Sequence, residues 1–88
     1  MISVETIDNN TFKASVTKNS STVHIVLLND RFHLDVSNNK LTKTELITKS
    51  FEFLLKRESN QSILKKFNLE VISQYFPEYI DEIKKLIL

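Results

Sequence analysis

The 88-residue sequence contains no glycine, no cysteine and no tryptophan, and a single proline. Without glycine, neither a P-loop nor a Gly-x-Gly-x-x-Gly turn can form, because both bring a backbone free of Cβ close to a phosphate. Nucleotide-binding enzymes of these types are therefore excluded. Without cysteine there are no disulfides, thiolate ligands or thiol nucleophiles. A secreted domain of this size usually needs disulfides, so the composition indicates a reducing compartment, and we expect a cytoplasmic protein.

Histidine is also scarce, with His24 and His33 as the only two. A zinc site needs three or four ligands, and His33 with Asp35 could supply two if their segment were a strand. We therefore expect no metal and no cofactor. His24 is predicted on the outer face of a strand and His33 at a partly solvated loop edge. With no nucleophile, phosphate cradle or ligand cluster in evidence, we predict a protein that is not an enzyme and has no small-molecule substrate.

The charges nearly cancel, since 12 basic and 11 acidic residues give a net charge of +1. The chain as a whole therefore has no field that would draw it onto nucleic acid or an anionic membrane. No apolar run approaches the roughly 20 residues of a membrane span, and no targeting signal is apparent, so we expect no membrane contact. A chain this short supports one core, and residues 1–88 are expected to form a single domain.

Apolar and polar residues alternate along the first third of the chain. This period of two is typical of strands with one apolar face, and the apolar positions are Ile2, Val4, Phe12, Ala14, Val16, Val23, Ile25 and Leu27. Asn-rich breaks separate the runs, because asparagine is the residue that tolerates positive φ when glycine is absent. About residues 1–37 are thus predicted to be β-rich, as an antiparallel meander of two or three strands. Residues 31–36 fit a strand or a helix equally well.

Helix signals dominate from about residue 42 to residue 88. Thr42 and Glu45 have the spacing of a capping box, and the apolar residues that follow recur at helical intervals, which predicts a helix packed on the sheet. The fold class predicted is α+β, with the N-terminal antiparallel meander packed against three or four C-terminal helices. The later helices are predicted over Ile63–Phe67, from Asn68 to near Tyr75, and onward from a first turn that contains Pro77.

Part of the helical half follows a recognisable pattern. The matching runs read FEFLLKRE from Phe51, SIL from Ser62, FNL from Phe67 and ISQYFPEY from Ile72. In this pattern the chain resembles an uncharacterised family of small bacterial proteins, over about its C-terminal half. The resemblance implies a β-rich first part followed by a helical block, and it brings no family function and no functional residue. Ser59 stands where a proline commonly follows Arg-Glu.

The first functional hypothesis starts from the apolar stripe of the last helix, which is predicted to run to Leu88. Aromatic residues clustered around a proline, as before this stripe, most often close a core. The helices and strands together, however, offer more apolar surface than a small domain can cover, and exposed apolar patches usually mark contact with a partner or a second copy, as in a homodimer. The sequence leaves open whether the stripe is core or interface. The protein is predicted to be a non-enzymatic interaction module (adaptor, regulator or subunit), and the assigned contact residues are Phe76, Tyr79, Ile83 and Ile87.

The second hypothesis is a nucleic-acid-binding regulator. Residues 62–76 have the outline of a helix-turn-helix, with basic residues ahead of the turn and polar residues on the predicted second helix. Glu70 at the start of that helix would repel phosphate, and the net charge of +1 adds to this objection. The residues assigned to nucleic-acid binding are Lys65, Lys66, Ser73 and Gln74.

Overall fold

The computed structural model describes residues 1–87, in which a β-sheet is covered by helices on one face. The strands are β1 (Ile2–Asp8), β2 (Thr11–Thr17), β3 (Ser21–Leu27) and β4 (Lys66–Asn68). They lie side by side in the order β1-β2-β3-β4. The first three form the predicted antiparallel meander, and β4 pairs parallel to β3. The predicted α+β fold is confirmed, and β4 is an addition that the sequence pattern did not predict.

Four α-helices follow the meander: α1 (Asp30–Ser37), α2 (Lys43–Leu55), α3 (Ile72–Tyr75) and α4 (Tyr79–Leu86). The segment left open between strand and helix is α1, which begins where the Asn29 side chain accepts a hydrogen bond from the Phe32 amide. The capping box at the start of α2 is confirmed. Leu88, to which the predicted stripe extends, lies outside the described residues. No helix within residues 1–87 has both the length and the apolar character to cross a bilayer.

The helix predicted over Ile63–Phe67 is wrong, because this segment is extended and ends in β4. The Ile25 amide donates a hydrogen bond of 2.8 Å to the Lys65 carbonyl, and Ile25 then pairs with Lys66. The β3 backbone groups that point away from β2 need hydrogen-bond partners. An extended segment supplies these partners, and a short helix would not.

The inward face of β3 is also the reverse of the prediction. Val23, Ile25 and Leu27 were expected to face the core, but the register places Ala14 opposite His24, so the buried residues of β3 are the even-numbered ones. His24 is completely buried rather than on the outer face. The reason is that the polar side chains on this face find buried hydrogen-bond partners, as described below.

The sheet consequently has one covered and one uncovered face. The helices pack on the covered face, which contributes Phe12, Ala14, Val16 and Val26 to a single hydrophobic core. On the uncovered face the register aligns one residue from each strand in a row, Glu5, Lys13, Ile25 and Lys66.

Asparagine replaces glycine at the end of α1. Asn38 (φ 50°) and Asn39 (φ 61°) both have left-handed backbone, and the Asn38 amide caps the helix by donating to the Leu34 carbonyl. The expectation that asparagine supplies the left-handed positions of this glycine-free chain is confirmed at these two residues, but within residues 1–87 the Asn-rich breaks between the strands have no positive φ.

Replacing Asn39 by alanine should lower the free energy of unfolding by about 1 kcal/mol, because a Cβ without a compensating polar group is unfavourable in the left-handed region. Replacing it by glycine should leave stability unchanged or raise it. Thermal or urea unfolding of the two variants provides the measurement. Equal destabilisation by alanine and glycine would contradict the assignment.

Candidate protein-interaction surface

An apolar groove with a volume of about 250 Å³ lies where the C-terminal end of α2, the segment leading into β4, and α3 meet. Its rim includes two exposed side chains, Leu64 at 49% and Tyr75 at 67% exposure. Val71 and Phe76 are half-buried at the rim. The floor is part of the core and is formed by Leu54, Ile63, Phe67 and Ile72. The groove therefore has a buried apolar floor and exposed apolar side chains at its rim.

A chain of buried hydrogen bonds holds one wall of this groove against β3. Nδ1 of His24 lies 2.8 Å from the Leu64 carbonyl oxygen, which can only accept, so Nδ1 carries the proton and donates. Nε2 is then the acceptor for the Thr22 hydroxyl at 2.9 Å. The Asn60 side-chain amide donates to Thr22 Oγ1 at 3.1 Å and to the Ser20 carbonyl at 3.0 Å. Every donor in this series of hydrogen bonds faces an acceptor when His24 is neutral.

The environment of His24 favours that neutral form. Burial lowers the pKa of His24 below its ordinary value of 6.5, and the positive charge of Lys65 acts in the same direction, against the raising effect of the Leu64 carbonyl. Protonation would turn Nε2 into a second donor to Thr22 Oγ1, beside Asn60, and the Thr22 hydroxyl would lose Nε2 as its acceptor. The hydrogen-bond chain therefore favours the neutral imidazole, in which the Thr22 hydroxyl keeps an acceptor.

A cluster of aromatic rings supports Phe76, which lines the groove. The Phe53 ring meets Phe76 and Tyr79 edge-on, at centroid distances of 5.8 Å and 5.3 Å. The Arg57 guanidinium lies 3.6 Å from the Phe53 ring centroid, and its Nε donates to Glu78 Oε2 at 3.1 Å. These contacts join the end of α2 to the turn before α4 and fix Phe76 at the groove.

The predicted contact residues do not form one surface. Phe76 lies at the groove, but Tyr79 and Ile83 are completely buried, so the assignment of these two to an exposed surface is wrong. Tyr79 is held by a hydrogen bond to the Ser50 hydroxyl, which itself donates to the Leu46 carbonyl. Burial raises the pKa of Tyr79. Ile87 is half-buried and lines a separate recess between α1 and α4.

The helix-turn-helix outline over residues 62–76 is not formed. Lys66 lies in β4, opposite Ile25 on the uncovered sheet face. Ser73 and Gln74 lie in a short helical run over residues 69–75, a 3₁₀ turn followed by α3, and the Ser73 hydroxyl donates to the Glu70 carbonyl. The first of the two predicted helices is absent, because its segment is extended and ends in β4, so no helix pair positions a recognition helix. Lys65 and Lys66 are exposed, and their role in nucleic-acid binding stays a prediction.

Leu64 and Tyr75 were not selected from the sequence. A signal for Leu64 was present, because in an extended segment neighbouring side chains point to opposite sides, and Ile63 and Leu64 cannot then both be buried. The exposure of Leu64 can be predicted in this way only if residues 63–67 are predicted to be extended rather than helical. Within residues 1–87, no three His, Asp or Glu side chains converge as a metal site would require.

Comparison with protein-family models, curated proteins and solved structures finds no match to this chain.

The placement of α4 can be tested with two isoleucines. Ile83→Ala should lower the free energy of unfolding by about 2–5 kcal/mol, because Ile83 is completely buried and its removal leaves a cavity. Ile87→Ala, at a half-buried site, should cost less than about 1 kcal/mol. Urea unfolding measures both values. Similar losses for the two variants would contradict the burial of Ile83.

The free energy of unfolding should fall as the pH drops from about 7 to about 5. Because the pKa of His24 is lower in the folded protein, the unfolded chain binds the proton first, so the stabilisation is full above about pH 6.5 and is lost below it, toward the folded-state pKa. Urea unfolding across this range measures the slope. His24→Gln should reduce it, and an unchanged slope would contradict the assignment.

Proposed function

We propose that the protein is a non-enzymatic protein-interaction module, and that its groove binds apolar side chains presented by a partner protein. The observation that carries the proposal is the position of Leu64 and Tyr75. Both are large, largely apolar and about half or more exposed, and both stand at the rim of a buried apolar floor. Anchors of a protein interface have this arrangement, an aromatic or aliphatic group beside a well-packed pocket.

The size and lining of the groove favour a protein partner over a small molecule. Its volume of about 250 Å³ is below the roughly 300–1,000 Å³ of sites that enclose drug-sized ligands. Of the lining side chains, Glu58 and Ser62 are the ones that carry a carboxylate or an aliphatic hydroxyl, and the rest are apolar or aromatic. Such a lining supplies packing surface for side chains such as Leu or Phe. The cysteine-free composition supports action in a reducing compartment, the cytoplasm.

The proposal is tested by photo-crosslinking at two matched positions. A benzophenone amino acid at Tyr75, which is 67% exposed, should capture a defined partner protein in cells. The same group at Leu86, which is 62% exposed and lies on α4 away from the groove, should not capture that protein. Capture of the same proteins from both positions, or of none from Tyr75, would overturn the proposal.

A second substitution links the capture to the groove. Leu64→Ser in the Tyr75 crosslinking background should reduce the yield roughly tenfold, as expected for loss of an interface anchor worth at least about 1.4 kcal/mol. Leu34→Ser is the control, because Leu34 has a similar exposure of 46% but lies on α1. An equal yield in both variants would show that the groove does not bind the captured protein.

A further inference from the structure

The outer edge of β1 is a second surface, and it lies at the opposite end of the sheet from β4. β1 is the first strand in the order β1-β2-β3-β4, so one of its two edges faces no other strand. The Met1 ammonium group donates to the Thr17 carbonyl at 2.6 Å, and the Met1 carbonyl accepts from the Thr17 amide at 2.9 Å. Since backbone groups alternate in direction along an antiparallel strand, the odd-numbered residues of β1 point to β2. The even-numbered residues Ile2, Val4 and Thr6 therefore point their backbone groups outward.

These outward groups have no backbone partner in the part of the chain that the structure describes. Natural proteins usually protect such an edge with lysine, proline or a bulge. β1 contains neither lysine nor proline, and its bulge lies between Thr6 and Asp8, beyond the last of the three outward residues. The one charge within the regular part of the edge is Glu5, whose neighbour in the sheet is Lys13. The regular part, Ile2–Thr6, is therefore open to pairing with another strand.

From this edge we infer that two copies of the chain associate through antiparallel pairing of their β1 strands, with the two-fold axis at Val4. The inference stands on the sheet edge alone and does not depend on the groove. The two four-stranded sheets then form one continuous sheet, and each copy supplies hydrogen-bond donors and acceptors that the other lacks. A symmetric pair requires this edge to be complementary to itself.

The register follows from charge and from the number of paired groups. A two-fold axis at Glu5 would place two carboxylates directly opposite each other, which is destabilising. An axis at Ser3 would leave the outward groups of Thr6 without a partner. An axis at Val4 pairs Val4 with its own copy and Ile2 with Thr6, and it places Ser3 opposite Glu5. This register satisfies all three outward residues and brings no like charges together.

The adjacent face of α2 is complementary to itself under the same axis. Glu45 and Lys49 are one helical turn apart and line the recess beside Val4, together with Leu41, Thr44 and Thr48. Rotation about an axis at Val4 brings this recess, with one acidic and one basic side chain, toward its copy. Ile2 and Val4, which are half-buried in one copy, gain cover from the second.

The absence of native cysteine makes the register directly testable. A Val4→Cys variant should form a disulfide-linked dimer under mild oxidation, because residues on the axis have Cα atoms about 5.5 Å apart, within the disulfide range. Ile2→Cys and Thr6→Cys each place the two thiols about 13 Å from one another and should crosslink at least about tenfold more slowly. Equal rates at the three positions would overturn the register.

Sedimentation of the unmodified chain over a wide concentration range tests the association itself, and the expected result is a monomer–dimer equilibrium. Val4→Pro should shift it to monomer, because proline removes an outward amide that β2 does not use. Circular dichroism of Val4→Pro establishes whether the fold is kept. A monomer at all concentrations for the unmodified chain, together with slow crosslinking of Val4→Cys, would overturn the inference whether or not the proline variant folds.

Discussion

The hydrogen-bond chain from Asn60 through Thr22 and His24 to the Leu64 carbonyl is the interaction on which the second half of the structure depends. It attaches the segment after α2 to β3 before β4 begins. Without it, His24, which lies beside Phe51, and Thr22 would be buried with no partner, at a cost of about 1–3 kcal/mol for each unsatisfied group. The polar groups and the segment therefore stabilise each other.

The position of that segment determines the groove. Because Leu64 is held by its carbonyl, its neighbour Ile63 points into the core while its own side chain stays exposed. β4 continues from this point in parallel register with β3, and the turn into α3 brings Tyr75 to the same rim. The groove is thus made from the end of α2, one extended segment and the short helical run that follows it.

The two proposed surfaces lie at opposite edges of the sheet. A dimer formed through β1 leaves β4 and its groove at the outer end of each copy. Such an assembly presents two grooves together, and a partner with two apolar segments would bind it with greater avidity than a single copy.

The sequence predicted correctly several features that are determined by interactions between residues close together in the chain. The meander and the capping box of α2 depend on neighbours within a few residues, and both were found, while left-handed asparagines were found after α1 and not at the breaks between strands. β4 and the burial of His24 depend on contacts between residues 40 apart, such as His24 with Leu64, for which periodicity holds no information. Hydrophobicity alone also selected the wrong face of β3, because His24 and Thr22 are stabilised inside by hydrogen bonds rather than by apolar character.

Amide hydrogen exchange of a Thr22→Val variant tests this dependence most directly. Valine keeps the shape of threonine but removes the hydroxyl that joins Asn60 to His24. The account predicts faster exchange over residues 59–68, where the segment opens, and unchanged protection between β1 and β2. Uniform acceleration across the whole sheet, or none over residues 59–68, would contradict it.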